Sequence, residues 1–171
     1  MKLAQWEKKP FPHVMGVGAF PDDVYLEMLA NLPTEFERLY PKRFVAKKLN
    51  TFWHEMLREF IAGHRHRAWI FRDLPGYEVG PHTDSPKDIQ TLIFYLTDKE
   101  QSSGGTSVFI PKNKDFSCNG QRWHKFKDFE LVKTAPYVPN GYYGHIRTNK
   151  SFHGVYPVNF ERLSLQITLY Q

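Results

Sequence analysis

His82 and Asp84 flank Thr83, and a second histidine lies far downstream in Ser151-Phe152-His153-Gly154-Val155. Two imidazoles and one carboxylate in H-x-D…H order can grasp a divalent cation from one side and leave its opposite side open. In extended backbone, residues i and i+2 share a face, so His82 and Asp84 aim at one point. The triplet follows Pro75-Gly76 and Gly80-Pro81, a turn signature, so we expect it to open a strand, with His153 opening another. His82, Asp84 and His153 are therefore the expected metal ligands and the expected catalytic centre. Farther on, Arg162-Leu163-Ser164 supplies a planar cation that can meet a carboxylate through two parallel bonds.

The donor set also bears on the metal. Structural zinc takes four ligands, often cysteines, and this chain has one, Cys118. Catalytic zinc more often uses three histidines, or two with a glutamate. A mixed set of two imidazoles and one carboxylate with open positions matches the facial triad that binds iron(II). Affinity order does not favour iron over nickel, copper or zinc, so purified protein carrying a substitute metal is compatible with this expectation.

The elements that must position these residues fall into two stretches. Phe11 to Phe20 has the pattern of an entry strand. Pro21, Asp22 and Asp23 then suit a helix start, with Val24, Met28 and Leu29 as a modest apolar face and Pro33 as the stop. A second helix is capped by Asn50 or Thr51. It carries Phe52, Met56 and Phe60 in one row, Trp53, Leu57 and Ile61 in the next, and Gly63 at its end. From Arg67 onward short strands are expected over Ala68–Arg72, Gln90–Leu96, Thr106–Ile110, Phe129–Lys133, Gly141–Arg147, His153–Val158 and Leu163–Tyr170. Helices followed by many short strands predict a mainly β (α+β) fold. The expected form is a double-stranded β-helix, or jelly roll, with N-terminal helices packed on the major sheet. One domain over 1–171 is expected, helical to about residue 66 and jelly-roll from about 67.

Alternation along the last strand sharpens this. Arg162, Ser164, Gln166 and Thr168 share one face, and Leu163, Leu165, Ile167 and Leu169 the other. We expect the polar face to line a cavity and the apolar face to lie under the helices. Thr91, Ile93 and Tyr95 likewise oppose Leu92, Phe94 and Leu96.

A chain of 171 residues fits one domain. Its single cysteine precludes an internal disulfide, which suits a reducing compartment. Met1 to Pro10 is polar, with no signal-like apolar run, and no segment is long and apolar enough for a membrane span. A soluble, cytoplasmic protein without a membrane partner is expected. The net charge of +5 comes from dispersed pairs such as Lys8-Lys9, Lys42-Arg43 and Lys47-Lys48, which suit solvated surface. No nucleic-acid motif accompanies them, so a nucleic-acid partner is disfavoured. His64-Arg65-His66-Arg67 has the look of a solvated turn, and Tyr77, Trp123, His145 and Arg147 are candidates for a substrate mouth.

From about Arg72 to Leu169 the chain resembles the 2-oxoglutarate- and Fe(II)-dependent dioxygenases, in their prolyl-hydroxylase-like branch. The matching run is Gly76-Tyr77, His82-Thr83-Asp84, Thr91-Leu92-Ile93-Phe94-Tyr95-Leu96, Gly104-Gly105-Thr106, Phe152-His153-Gly154-Val155 and Arg162-Leu163-Ser164. The resemblance implies Fe(II) as cofactor, 2-oxoglutarate as cosubstrate and ascorbate as auxiliary reductant. It places Arg162, Ser164 and Tyr95 on the cosubstrate's distal carboxylate and Val155 against its methylenes. It implies hydroxylation of an unactivated C–H in a peptidyl residue, amino acid or small metabolite, with release of succinate and CO2. Where that branch usually has a tyrosine, about ten residues before the first ligand, this chain has Arg72, which puts a prolyl substrate in question. A cupin-like metal isomerase or a non-catalytic binding module is the alternative, and a nucleic-acid dealkylase a weaker third. The sequence leaves substrate identity and oligomeric state open.

Overall fold

Short alternating apolar runs, punctuated by Gly, Pro and Asn turns, build a mainly β structure. It is described here from a computed structural model covering residues 2–120 and 122–171, with the side chains of residues 59 and 60 outside the description. In chain order the elements are β1 (His13–Val17), α1 (Asp22–Ala30), β2 (Glu37–Tyr40), β3 (Arg43–Ala46), α2 (Thr51–Ile61), β4 (Arg65–Asp73) and β5 (Val79–His82). They continue with β6 (Asp88–Tyr95), β7 (Ser107–Pro111), β8 (Phe129–Thr134), β9 (Gly141–Ile146), β10 (His153–Val155) and β11 (Arg162–Tyr170). Seven strands form one sheet in the order β1-β9-β6-β11-β4-β3-β2, and four form a second in the order β5-β10-β7-β8. Every neighbouring pair is antiparallel. Two antiparallel sheets in these orders are consistent with a jelly roll.

The alternation of β11 and β6 divides the large sheet into an apolar and a polar face. Leu165, Ile167 and Leu169 of β11 join Leu92, Phe94 and Leu96 in one buried cluster. Tyr25 and Met28 of α1 and Trp53 and Leu57 of α2 belong to the same cluster. Asn50 caps α2 by accepting a hydrogen bond from the Trp53 backbone, and the Trp53 indole donates to the Asn31 carbonyl at 2.9 Å. Truncating a fully buried member such as Leu165 to alanine costs roughly 2–5 kcal/mol. The opposite face of β11, from Arg162 to Thr168, lines a cavity of about 430 Å³.

Three sequence expectations are corrected. The expected entry strand is present as β1, but the rest of the stretch before residue 67 is not simply helical, because the β2–β3 hairpin lies in it and joins the large sheet. Their runs are short, and the four residues of β2 are all exposed, which hides an edge strand from an apolar-pattern search. Arg65 to Arg67 are not a solvated turn but open β4, where both arginines approach the Tyr170 ring across β11, at 5.3 and 5.5 Å. His82 closes β5 rather than opening a strand, and Asp84 lies in the following loop. Phe60 of the predicted α2 row falls among the undescribed side chains. No helix among the described residues is long and apolar enough to cross a membrane.

Candidate metal centre and its cavity

β5 and β10 bring the two histidines together, since His153 and His82 are register partners. Their rings lie 4.4 Å apart between centroids. The strands can approach this closely because residue 154 is glycine: a Cβ there would meet the Val79 carbonyl oxygen at 2.6 Å. Asp84 reaches the same point from the loop after β5. Thr83 pins that loop, donating to the Cys118 carbonyl at 2.8 Å and accepting from the Gly120 amide at 3.1 Å. Gly120 has φ +102, and a Cβ there would press on Pro86 and the Asp84 carbonyl, so this anchor needs glycine.

Asp84 Oδ1 lies 3.8 Å from His82 Nε2 and 3.5 Å from His153 Nε2. One ligand atom from each of His82, Asp84 and His153 falls within 4.8 Å of the others. In both histidines Nδ1 faces a backbone carbonyl at 3.0 Å, that of Gly80 for His82 and of Ser151 for His153. Those carbonyls fix the proton on Nδ1 and direct each Nε2 lone pair to the common centre. Two neutral nitrogen donors and one carboxylate oxygen, oriented in this way, fit a divalent metal such as iron(II).

The electrostatics agree. Burial and the neighbouring His153 push His82 down to about 3, so its ring is neutral near pH 7. Burial opposes the charge on Asp84, but His153 and contacts with His145 outweigh it and hold the carboxyl well below its usual range. Burial also opposes a proton on His153, but the Asp84 charge outweighs it and raises its pKa. A bound cation would take the place of that proton.

The other end of the cavity is built across three strands. Arg43 of β3, Asp73 of β4 and Arg162 of β11 are successive register partners. Asp73 is fully buried and accepts from Arg43 Nε at 2.8 Å and from Arg162 NH1 at 2.8 Å. Arg162 also donates through Nε to the Gly104 carbonyl at 2.7 Å and through NH1 to Ser164 Oγ at 3.2 Å. Burial opposes the Arg162 charge, but Asp73 outweighs it and keeps the guanidinium protonated. The expected free fork is thus partly committed, and NH2 alone has no hydrogen-bond partner among the described residues. Tyr95 is fully buried beneath this guanidinium, and its hydroxyl accepts from the Thr106 amide at 2.8 Å. Val155 packs with Tyr77, Val79 and Val158 and lines the same cavity. Two further buried hydroxyls of the lining, Thr106 Oγ1 and Tyr77 Oη, lack a hydrogen-bond partner among the described residues.

Other sequence candidates resolve differently. Arg72 points outward and pairs with exposed Glu161, while its neighbour Asp73 is buried between Arg43 and Arg162. Arg43 is not solvated surface: its guanidinium lies 4.1 Å from the Phe71 ring centroid, and its side chain is 16% exposed. Trp123 lines the cavity opposite Tyr40, with ring centroids 5.8 Å apart, and both are exposed. Arg147 instead bonds the Asp84 carbonyl and Asn119. His145 is fully buried beside the metal cluster. Asp73, Thr91 and Arg43 were missed; the alternation that puts His145 beside Tyr143 on one face of β9 was available in the sequence.

No protein-family model matches the chain, and no curated protein matches it by sequence. Solved structures do match. A Pseudomonas putida prolyl-4-hydroxylase superposes with a TM-score of 0.60 at 13% identity, covering 93% of this chain and 92% of its own. A prolyl hydroxylase from Trichoplax adhaerens, in complex with a hypoxia inducible factor peptide fragment, gives 0.65 at 12% identity over 92% and 83%. A Burkholderia pseudomallei oxidoreductase of the 2OG-Fe(II) oxygenase family gives 0.56 at 19% identity over 92% and 84%. The fold is that of the prolyl hydroxylases and other 2OG-Fe(II) oxygenases. At these identities the likeness is one of architecture, and the site must speak for its own chemistry.

Proposed function

We propose that this protein is a 2-oxoglutarate- and iron(II)-dependent dioxygenase that hydroxylates an unactivated C–H of a peptidyl residue, amino acid or small metabolite. The observation that carries this reading is the convergence of His82, Asp84 and His153 on a cavity whose other end holds the buried cation Arg162. The peptide held by the Trichoplax neighbour supports including peptidyl residues among the substrate classes.

His82 Nε2, His153 Nε2 and Asp84 Oδ1 would hold the metal. Bound there, iron(II) supplies the redox centre at which 2-oxoglutarate and dioxygen become succinate and CO2 while the substrate C–H becomes C–OH. The chain's own groups bind and orient. Arg162 NH2 and the hydroxyls of Tyr95 and Ser164 take the distal carboxylate of 2-oxoglutarate, and Val155 packs on its methylenes. Burial keeps Tyr95 protonated, raising its pKa, so it can donate. The apolar wall of Phe71, Trp69 and Ile93 excludes water from the space between. The helices brace the large sheet from its apolar side, so that β6 and β11 hold Tyr95, Arg162 and Ser164 in place, and residues 1–171 act as one catalytic domain.

The test is succinate release from 2-oxoglutarate by Fe(II)-loaded protein with ascorbate, screened over amino acids, proline-rich peptides and small metabolites. We expect one class to raise succinate well above the substrate-free rate. No succinate under any condition, with metal shown to be bound, would overturn the reading.

A further inference from the structure

The two oxygens of Asp84 have separate surroundings. Oδ1 faces His82 and His153, whereas Oδ2 accepts a hydrogen bond from Thr91 Oγ1 at 2.7 Å and lies 3.2 Å from His145 Nε2. Thr91 on β6 and His145 on β9 are register partners, so both side chains rise from the large sheet toward the same oxygen. Both are at most 1% exposed. Among the described residues His145 has no hydrogen-bond partner at either ring nitrogen, and Asp84 is the acid it touches. Its ring packs among Phe11, Tyr143 and His153, a space that an apolar ring would fill without burying unpaired nitrogens.

We propose that Thr91 and His145 are positioning residues that retain Asp84 Oδ2 and so make Asp84 a one-atom metal ligand through Oδ1. A carboxylate free to turn can give both oxygens to a metal and fill a second coordination position. The Thr91 hydrogen bond and the His145 ring edge, set against Oδ2 from adjacent paired strands, oppose that turn. They leave three protein donor atoms on one side and keep the remaining positions for a chelating cosubstrate. This role rests on the metal centre proposed above, and groups that orient a ligand in this way typically alter metal affinity by about 10–100-fold.

The test uses Co(II) as probe, with affinity read by competition against a chromophoric chelator and coordination read from visible absorption. His145→Phe keeps the ring and removes the nitrogens, and Thr91→Val removes the hydroxyl at constant shape. We expect each to weaken Co(II) binding about 10-fold and to change the visible spectrum, with Thr91→Ser restoring both. Chelator-treated variants should unfold within a few degrees of the parent, a result that separates positioning from folding. Asp84→Ala distinguishes the two claims. If it keeps parental affinity, the metal centre itself is misassigned. If it loses Co(II) while His145→Phe and Thr91→Val retain parental affinity and spectra, the positioning role alone is overturned. If His145→Phe loses Co(II) as completely as Asp84→Ala, His145 is itself a ligand, and its positioning role is likewise overturned.

Discussion

At one end of the cavity, the chargeable partners of the Asp84 carboxylate are histidines, and no arginine or lysine forms a salt bridge with it among the described residues. At the other end Asp73 is bracketed by Arg43 and Arg162, so the cation that would meet a ligand already has an internal counter-ion. The first arrangement can exchange a proton on His153 for a metal. The second holds its charges whether or not a ligand is present. The metal end is therefore expected to be sensitive to pH and chelation, and the arginine end to substitution.

Replacing each acid by its amide should break this comparison most strongly. Asp73→Asn leaves two inward-facing guanidiniums short of their shared anion, and stranding a buried charge costs about 3–5 kcal/mol. Asp84→Asn leaves histidines that can shed a proton, so its loss in the metal-free protein should be clearly smaller. Denaturant unfolding of both variants with chelator checks the order. Next in size is Arg162→Ala, which keeps the Arg43–Asp73 pair. A hydrogen bond to a charged group contributes about 1.5–3 kcal/mol, so 2-oxoglutarate affinity should fall at least about tenfold by calorimetry on Co(II)-loaded protein.

Acid should sharpen the contrast. His82 is pushed down to about 3 and His145 to about 4, burial being the main cause in each. The unfolded chain takes up protons near pH 6.5 at positions where the folded chain does not, so stability falls as pH drops below 6.5. The slope is up to about 1.4 kcal/mol per pH unit for each group, ending near pH 4 for His145. His153, raised by Asp84, contributes fully below 6.5 and loses its contribution only as pH rises through its folded value, so it does not reverse the trend. Thermal unfolding with chelator should show this slope, and His145→Phe should flatten it. The smallest effect is expected from Tyr77→Phe. Removing its unpaired buried hydroxyl should leave ligand-free stability unchanged or raise it by about 1 kcal/mol. If that hydroxyl takes part in ligand binding, 2-oxoglutarate affinity should fall a few-fold, measured by the same calorimetry.

The same contrast explains how much of the molecule was legible in its sequence. H-x-D and His153 announce themselves because their residue types are chemically narrow, although Asp84 reaches the common point from a loop and not from the strand face that the i, i+2 spacing suggests. Alternation in β11 and β6 likewise anticipates which side chains line the cavity, from Arg162 to Thr168 and at Thr91 and Ile93. The arginine end is less visible because Arg43, Asp73 and Arg162 become neighbours only through strand register, and β3 is a short strand beside an exposed edge. Lys42-Arg43 looks like solvated surface until β3 pairs with β4. His145 illustrates the middle case: its face was readable from the expected strand Gly141–Arg147, but its approach to Asp84 depends on a loop held by Thr83 and Gly120.

Anaerobic titration of the Fe(II)-loaded protein with 2-oxoglutarate tests most directly whether His82, Asp84 and His153 hold a metal with adjacent positions open to a chelating 2-oxo acid. We expect a visible metal-to-ligand charge-transfer band that saturates at one cosubstrate per site, weakens in Arg162→Ala and is absent in Asp84→Ala. Tight iron binding with no such band at saturating 2-oxoglutarate would contradict it.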